Sequence, residues 1–397
     1  MLNRFTLPWR VSSFFYTLVT VFATFLVSLG CSAQTIDSNL PDLHAAAQNI
    51  KQTSYFYHGQ EYGSESQFGP LNVFINVGYV VPGRLRTTAN LADIRYKKGW
   101  HNVLDSLSHQ EDVFDESGGF KASLKKEFIP FAHPSGAWLP NYGLHFLGEG
   151  MLSRKLEEYF RYNGVQGEYA PKLLAVSTVV AAQLMNEVVE YELPWEQRLD
   201  SVADFYFNMA GIIAFSYDGF AEYFSNEQVE YYYWAGQPVI DEQGALFNQG
   251  ENYFLRFGEG WKYAFMMGVP ANGLGISYPL DNMEHEHISI MLGSDVLIPK
   301  RSFDASEEAQ RVGEFVAADI AKEYTAAINL YWDRKGSLLA SSSLSFSPSW
   351  QLSINVYPEK RWGLGFAMGG YGVVSEKGAN TIGITFDFMP LVPGFRH

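Results

Sequence analysis

WQLSINVY (350–357) sets Trp350, Leu352, Ile354 and Val356 at alternate positions, with Gln351, Ser353 and Asn355 between them. Period two marks an extended strand, because successive side chains of a strand point to opposite faces. TIGITFDF (381–388) repeats the pattern with Ile382, Ile384, Phe386 and Phe388. WGLGFAMG (362–369) puts Trp362, Leu364, Phe366 and Met368 on one face and Gly363, Gly365, Ala367 and Gly369 on the other. WKYAFMMG, EHISIML and AAINLYW follow the same rule less strictly, all between residues 250 and 390. The second face decides the fold. A water-soluble sandwich would place Lys and Glu there, whereas this chain places Gly, Ala, Ser and Thr. Small residues suit a crowded barrel interior, and large apolar residues opposite them suit lipid. The expected class is α+β: an antiparallel outer-membrane β-barrel of about 8–10 strands with an inserted small helical bundle.

The other segments fit around that barrel. Arg4 and Arg10 precede the apolar run SFFYTLVTVFATFLVSLG, followed by Cys31-Ser32-Ala33, so residues 1–33 read as a signal peptide. CSA before Gln34 resembles a signal-peptidase site, while VSLGC resembles a lipobox that would leave Cys31 lipidated; both cleavages stay open. Cys31 is the only cysteine. An exported chain without a disulfide framework points to a Gram-negative envelope. Residues 34–70 read as a linker and LNVFINVGY, within 71–83, as a first strand. Residues 84–230 read as the helical insert, with its polar core at 138–225. The formal charge of −15 argues against a nucleic-acid partner. PKLLAVSTVVAAQLMNEVVE is the most apolar internal stretch, and its apolar part is too short to cross a bilayer unaided.

Three helices of the insert carry matching polar faces. His145 and Glu149 are four apart in WLPNYGLHFLGEGMLSRKLEEYFRYNG (138–164). Asn186, Glu187 and Glu190 end the next helix, and Asp200, Asp204 and Asn208 recur every four residues on the third. That third helix is apolar nearly all round, so its polar stripe must meet partners rather than water. Converging, the three faces would form an enclosed acidic pocket suited to acid–base work. In this scheme His145, Glu187, Glu190 and Asp204 are the candidate catalytic groups. Arg198 would hold a phosphate, Asn186, Asn208, Glu149 and Asp200 would line the substrate site, and a divalent cation could join the carboxylates. Singly each residue has an ordinary structural explanation; Asp200, for instance, suits a helix N-cap. EHEH (284–287) reads as a solvated strand end carrying His285 and His287, and YYYW (231–234) as an interface belt or the packing between insert and barrel.

NYGLHFLGEG, NEVVE and RLDSVADFYFNMAG, in that order, resemble the VanZ-like and YfiM-like membrane-associated helical proteins. The resemblance spans residues 138–225. It implies an enzyme that processes membrane lipid head groups by hydrolysis or transfer, with His145, Glu187 or Glu190, Arg198, Asp204 and Asn208 in its pocket. Typical members lack the strand-rich C-terminal part seen here. Two other functions compete: a noncatalytic outer-membrane barrel, as channel or structural element, and a lipid carrier.

Overall fold

The computed structural model describes residues 54–80, 91–92, 94–132, 137–190, 198–226, 228–242, 244–258, 263–269, 273–280, 285–297, 323–346, 350–359, 367–376 and 380–396. The leader at 1–33, with Cys31, lies outside them, as do residues 34–53 and Trp362, Leu364 and Phe366. Helices come first: α1 (Gly63–Ser66), α2 (Pro70–Gly78), α3 (Tyr96–Ser108), α4 (Gln110–Glu116), α5 (Phe120–Glu127), a π-helix (Asn141–Glu149), α6 (Gly150–Tyr162), α7 (Ala170–Glu190), α8 (Arg198–Phe215) and α9 (Asp218–Tyr223). Strands follow: β1 (Ser225–Asn226), β2 (Val229–Tyr233), β3 (Val239–Ile240), β4 (Leu246–Phe247), β5 (Tyr253–Phe257), β6 (Ala264–Val269), β7 (Gly273–Pro279), β8 (Glu286–Leu297), β9 (Glu323–Arg334), β10 (Ser337–Ser345), β11 (Gln351–Glu359), β12 (Met368–Ser375), β13 (Thr381–Phe386), β14 (Val392–Pro393) and β15 (Phe395–Arg396).

The chain is mixed α+β, with one antiparallel sheet of twelve strands in the order β1-β2-β5-β6-β7-β8-β9-β10-β11-β12-β13-β15. That exceeds the eight to ten expected, because β1 and β15 are two-residue edge pairings without an alternating signature. A closed barrel is not found: among the described residues β1 and β15 are not paired with each other. The sheet nevertheless curls strongly. Trp234, at the end of β2, packs with Phe254 of β5, Met266 of β6 and Met291 of β8, and equally with Leu338 of β10 and Tyr357 of β11.

Around that aromatic and Met core, several long strands send small or polar side chains inward and apolar ones outward. On β8, His287, Ser289 and Met291 are buried while Ile288, Ile290 and Leu292 are exposed. The register aligns outward residues into rows: Ile276 opposite Ile290 opposite Leu330, and Leu274 opposite Leu292 opposite Ile328. Ile354, Ile382 and Ile384 extend the same outer surface.

The segment between β2 and β5 crosses the curl as a plug. Trp234 Nε1 donates to the Gly336 carbonyl at 2.8 Å, and the Tyr357 hydroxyl donates to the Ala235 carbonyl at 2.7 Å. Asn248 Nδ2 reaches Asn355 Oδ1 at 2.8 Å. The buried Gln237 amide spans Asn355, the Val356 carbonyl and Thr385. β3 and β4 pair here, and β14 joins β3 in parallel as a second sheet.

The helices lie against the outer face of the first strands. Tyr231, Tyr233 and Tyr253 point to them, whereas Tyr232, Trp234 and Phe254 point into the curl. A Cβ on Gly148 would lie 2.6 Å from the Tyr253 ring, and one on Gly143 2.6 Å from Val269. The π-helix therefore touches β5 and β6 almost without intervening side chain.

Three expectations about boundaries change. LNVFINVGY is not a strand. Pro70 opens α2, and Asn72 and Asn76 face inward one turn apart, where Asn76 donates to the Gly236 carbonyl at 3.4 Å and accepts from Gly250 N–H at 2.9 Å. A strand could not put both amides on the buried side with Val73 and Val77. With no strand ahead of them among the described residues, the helices precede the sheet rather than interrupt it. The expected linker, where described, is packed structure. Glu158 of α6 accepts hydrogen bonds from the backbone N–H groups of Tyr55, Phe56 and Tyr57 at 3.1, 2.8 and 2.9 Å, and Phe56, Tyr57 and Phe68 are buried. Finally, α7 runs 21 residues and is long and apolar enough to cross a membrane by length and composition, although half of its apolar window is buried against its neighbours.

Candidate functional site

His145 is the centre of the arrangement. It is carried by the π-helix, where nine residues at wider spacing bring both His145 and Glu149 to the buried side. Nδ1 lies 3.2 Å from Asn208 Oδ1 and 3.5 Å from Glu149 Oε1; Nε2 lies 3.3 Å from Asp204 Oδ1. Two expected polar faces therefore meet on one imidazole. They can approach because Gly211 of α8 and Gly150 bring the backbones together: a Cβ on Gly211 would lie 2.1 Å from the Phe146 carbonyl oxygen, and one on Gly150 2.7 Å from the backbone of Gly211.

The third face arrives through Glu187. The Ser201 hydroxyl donates to Glu187 Oε2, and Gln183, Glu187, Ser201, Asp204 and Asn208 together line one cavity. The rest of its wall is apolar, from Val103, Leu107, Val179, Leu184, Phe205 and Met209 among others. The cavity measures about 20 Å³, room for one water-sized occupant.

The electrostatics are those of excess acid in a dry place. Burial holds the Glu149 carboxyl well above the usual carboxylate range, and the charges of Glu251 and Glu187 push it further the same way. Burial also raises Glu187, with Glu190 adding, while the Ser201 hydrogen bond opposes it. Asp204 rises for the same first reason, followed by the charges of Asp200, Glu187 and Glu190. Neither Glu149 oxygen accepts a hydrogen bond from a described group.

Of the residues expected in the pocket, Glu187, Asp204 and Asn208 line the cavity, and His145 and Glu149 are joined to it through Asp204 and Asn208 without lining it. Glu190 and Asp200 are half-buried at its edge and are felt there through their charge. Asn186 is buried, but it is not among the residues lining the cavity. Arg198 is elsewhere. Its guanidinium forks onto Asp105 at 3.0 Å and Glu116 at 2.9 Å, joining α8 to α3 and α4, so it is not a phosphate clamp for this cavity. Its position at the first turn of α8, two residues before Asp200, suggested the wrong direction. Gln183 and Ser201 were missed, although each is legible from helical spacing: Gln183 sits four before Glu187, and Ser201 three before Asp204. Among the described residues no three His, Cys, Asp or Glu side chains are placed to hold a metal ion together.

A second polar cluster lies inside the curl. Arg256 of β5 is paired with Asp333 of β9, both fully buried, and also donates to the Tyr232 hydroxyl at 3.0 Å. His287 Nδ1 is 3.4 Å from Arg256 Nη1. His287 is thus an interior residue rather than a solvated strand end, whereas His285 is exposed in the preceding turn at φ 55°. Period two separates the two histidines from Glu286, but a chain turn at His285 removes only the first from the strand.

No family model matches the chain, and neither a curated protein nor a solved structure matches it.

Proposed function

We propose that this chain is an outer-membrane protein of a bacterial envelope, its curled sheet closing as a barrel in lipid, and that its helical layer processes lipid head groups by phosphodiester or ester hydrolysis or transfer. The observation that carries the membrane half is the sheet's outer face, with rows of exposed Ile and Leu outside, while Ser, Asn and an Arg–Asp pair join the aromatic and Met core inside. In water such rows would expose a contiguous apolar patch; in a bilayer they are the favourable surface. The outer face also changes character toward one end. There Arg334 pairs with Glu286 at 2.7 Å and Glu359 at 3.1 Å, Trp332 donates to Glu286, and the Tyr62 ring lies under the guanidinium. Charged and aromatic residues at the edge of an apolar band suit a membrane–water boundary.

The chemical half rests on His145 held between Asp204, Asn208 and Glu149. Asp204 faces His145 Nε2 at 3.3 Å, so the pair can share the proton taken from an attacking water or hydroxyl. A neighbouring acid kept protonated by burial, Glu149, can return a proton to the departing oxygen. Water adds to phosphorus or the acyl carbon, and the ester bond breaks. The resemblance of residues 138–225 to VanZ-like and YfiM-like proteins is what suggests lipid head groups as the substrate class.

A second reading, a noncatalytic barrel, is favoured by the plug that fills the curl and by the one-water size of the cavity. Comparison of envelope lipids among wild type, His145→Ala and Asp204→Ala strains separates the two. Both variants should accumulate the same unprocessed lipid while the protein stays folded in the outer-membrane fraction. Lipid profiles unchanged in both would refute the enzyme and leave the structural barrel.

A further inference from the structure

The cavity between α7 and α8 has an imbalance that its own residues do not resolve. Five oxygen-bearing side chains line it: Gln183, Glu187, Ser201, Asp204 and Asn208. The Ser201 hydroxyl is spent on Glu187 Oε2, His145 is engaged by Asn208, Asp204 and Glu149, and the remaining hydrogens on the lining are the amide N–H groups of Gln183 and Asn208. Gln183 Oε1 and Glu187 Oε1 accept no hydrogen bond from a described group, although the two residues are only 6% and 8% exposed. A buried acceptor without a donor costs about 1–3 kcal/mol, so two of them on one wall call for an occupant that supplies positive charge or hydrogens. Arg198, the guanidinium nearest in sequence, is held by Asp105 and Glu116.

We infer that this cavity is a binding site for one hard divalent cation, magnesium or calcium, taken by Gln183, Glu187 and Asp204 with Ser201 and Asn208 completing the oxygen shell. Hard cations accept carboxylate, amide and hydroxyl oxygens alike, so two carboxylates with three neutral oxygens are a chemically sufficient set. The roughly water-sized space suits an ion or a single water and nothing larger. A cation there would sit beside the Asp204 carboxylate that orients His145. The inference rests on the reading of this cluster as a functional site and is independent of which lipid is processed.

Full-length protein, extracted in mild detergent and stripped with EDTA, is titrated with Mg²⁺, Ca²⁺ and Mn²⁺ by calorimetry and by thermal unfolding. The expected result is one ion bound per chain and a Tm that rises with cation concentration. Glu187→Gln and Asp204→Asn should each weaken binding by about 10-fold or more, and Gln183→Glu, which adds a charged ligand, should tighten it. Gln183→Glu also guards against misfolding in the other two, since its predicted change is a gain. His145→Ala should bind the cation while losing lipid turnover, so failure of the cation site and failure of the proposed chemistry are separate outcomes. No binding by any of the three ions would overturn the inference. So would binding that survives Glu187→Gln and Asp204→Asn undiminished, which would mark an adventitious surface site.

Discussion

Ile290→Lys puts the membrane reading at risk with one side chain. Ile290 sits mid-strand on β8, 53% exposed, between Ile276 on β7 and Leu330 on β9, themselves 57% and 44% exposed. Were this face in water, lysine would relieve an apolar patch, and stability would change by no more than about 0.5 kcal/mol. In lipid the same ammonium sits near the bilayer midplane, where it costs about 2–4 kcal/mol. At about 1.4 kcal/mol per decade, the folding equilibrium falls roughly 30- to 1,000-fold. The measurement is equilibrium guanidinium unfolding of protein folded into phosphatidylcholine vesicles, with Ser289→Ala as a control on the opposite face. Ser289 is buried against Ser277 at 2.9 Å, so its loss reports packing inside the curl rather than contact with lipid. An Ile290→Lys protein as stable as wild type, folding in buffer without detergent, would refute the reasoning.

Glu149→Gln should change the pH dependence of stability. The folded carboxyl titrates above its unfolded value, so its contribution is intact below the ordinary carboxylate pKa of about 4.3 and is lost as pH climbs toward the folded value. The loss amounts to about 1.4 kcal/mol for each pH step of one between those two values. The glutamine variant lacks that loss; its Tm relative to wild type should increase from pH 4 to pH 8, and a constant difference would contradict the assignment. Gly211→Ala tests the backbone contact beneath the site. Alanine gains about 1 kcal/mol of helix propensity, but its methyl meets the Phe146 carbonyl oxygen at 2.1 Å, and overpacking of that kind costs about 1–3 kcal/mol. A lowered Tm is expected, together with loss of whatever depends on His145 meeting Asp204; an unchanged or raised Tm would show that the helices separate freely.

The long strands were legible because their period-two signal is carried by large residues on one face: Ile276, Ile290, Ile354 and Ile384 all point the same way in the structure. Short strands such as β1, β3 and β14 hold two residues each and offer no period. LNVFINVGY misled because its apolar residues satisfy both periods. The deciding fact was a pair of asparagines one turn apart, of which Asn76 finds its partners in the distant segment at Gly236 and Gly250 and also donates to Asn72. His145, Glu149, Asp204 and Asn208 were readable from helical spacing, since residues four apart share a face. Arg198 was not, because one turn of helix decides whether a side chain faces the cavity or α3 and α4. The Arg256–Asp333 pair is invisible locally, 77 residues apart and brought together only by the curl.

The sheet and the site are linked by what covers the outer face. Along β2 and β5 that face carries Tyr231, Tyr233, Tyr253 and Leu255, all buried; along β7 and β8 the same face carries Leu274, Ile276, Ile288, Ile290 and Leu292, all exposed. Nothing in the alternation distinguishes the two groups of strands, so the difference is that helices occupy the first stretch. The glycines of the π-helix make this close: Gly143 and Gly148 press on Val269 and Tyr253. His145 lies between those two glycines in sequence, on the helix that ends the covered region. If lipid covers the remaining strands, the helix bearing His145 stands at the border where lipid gives way to protein. A site for head groups needs that border, because a reacting phosphate or ester must leave water without entering the hydrocarbon.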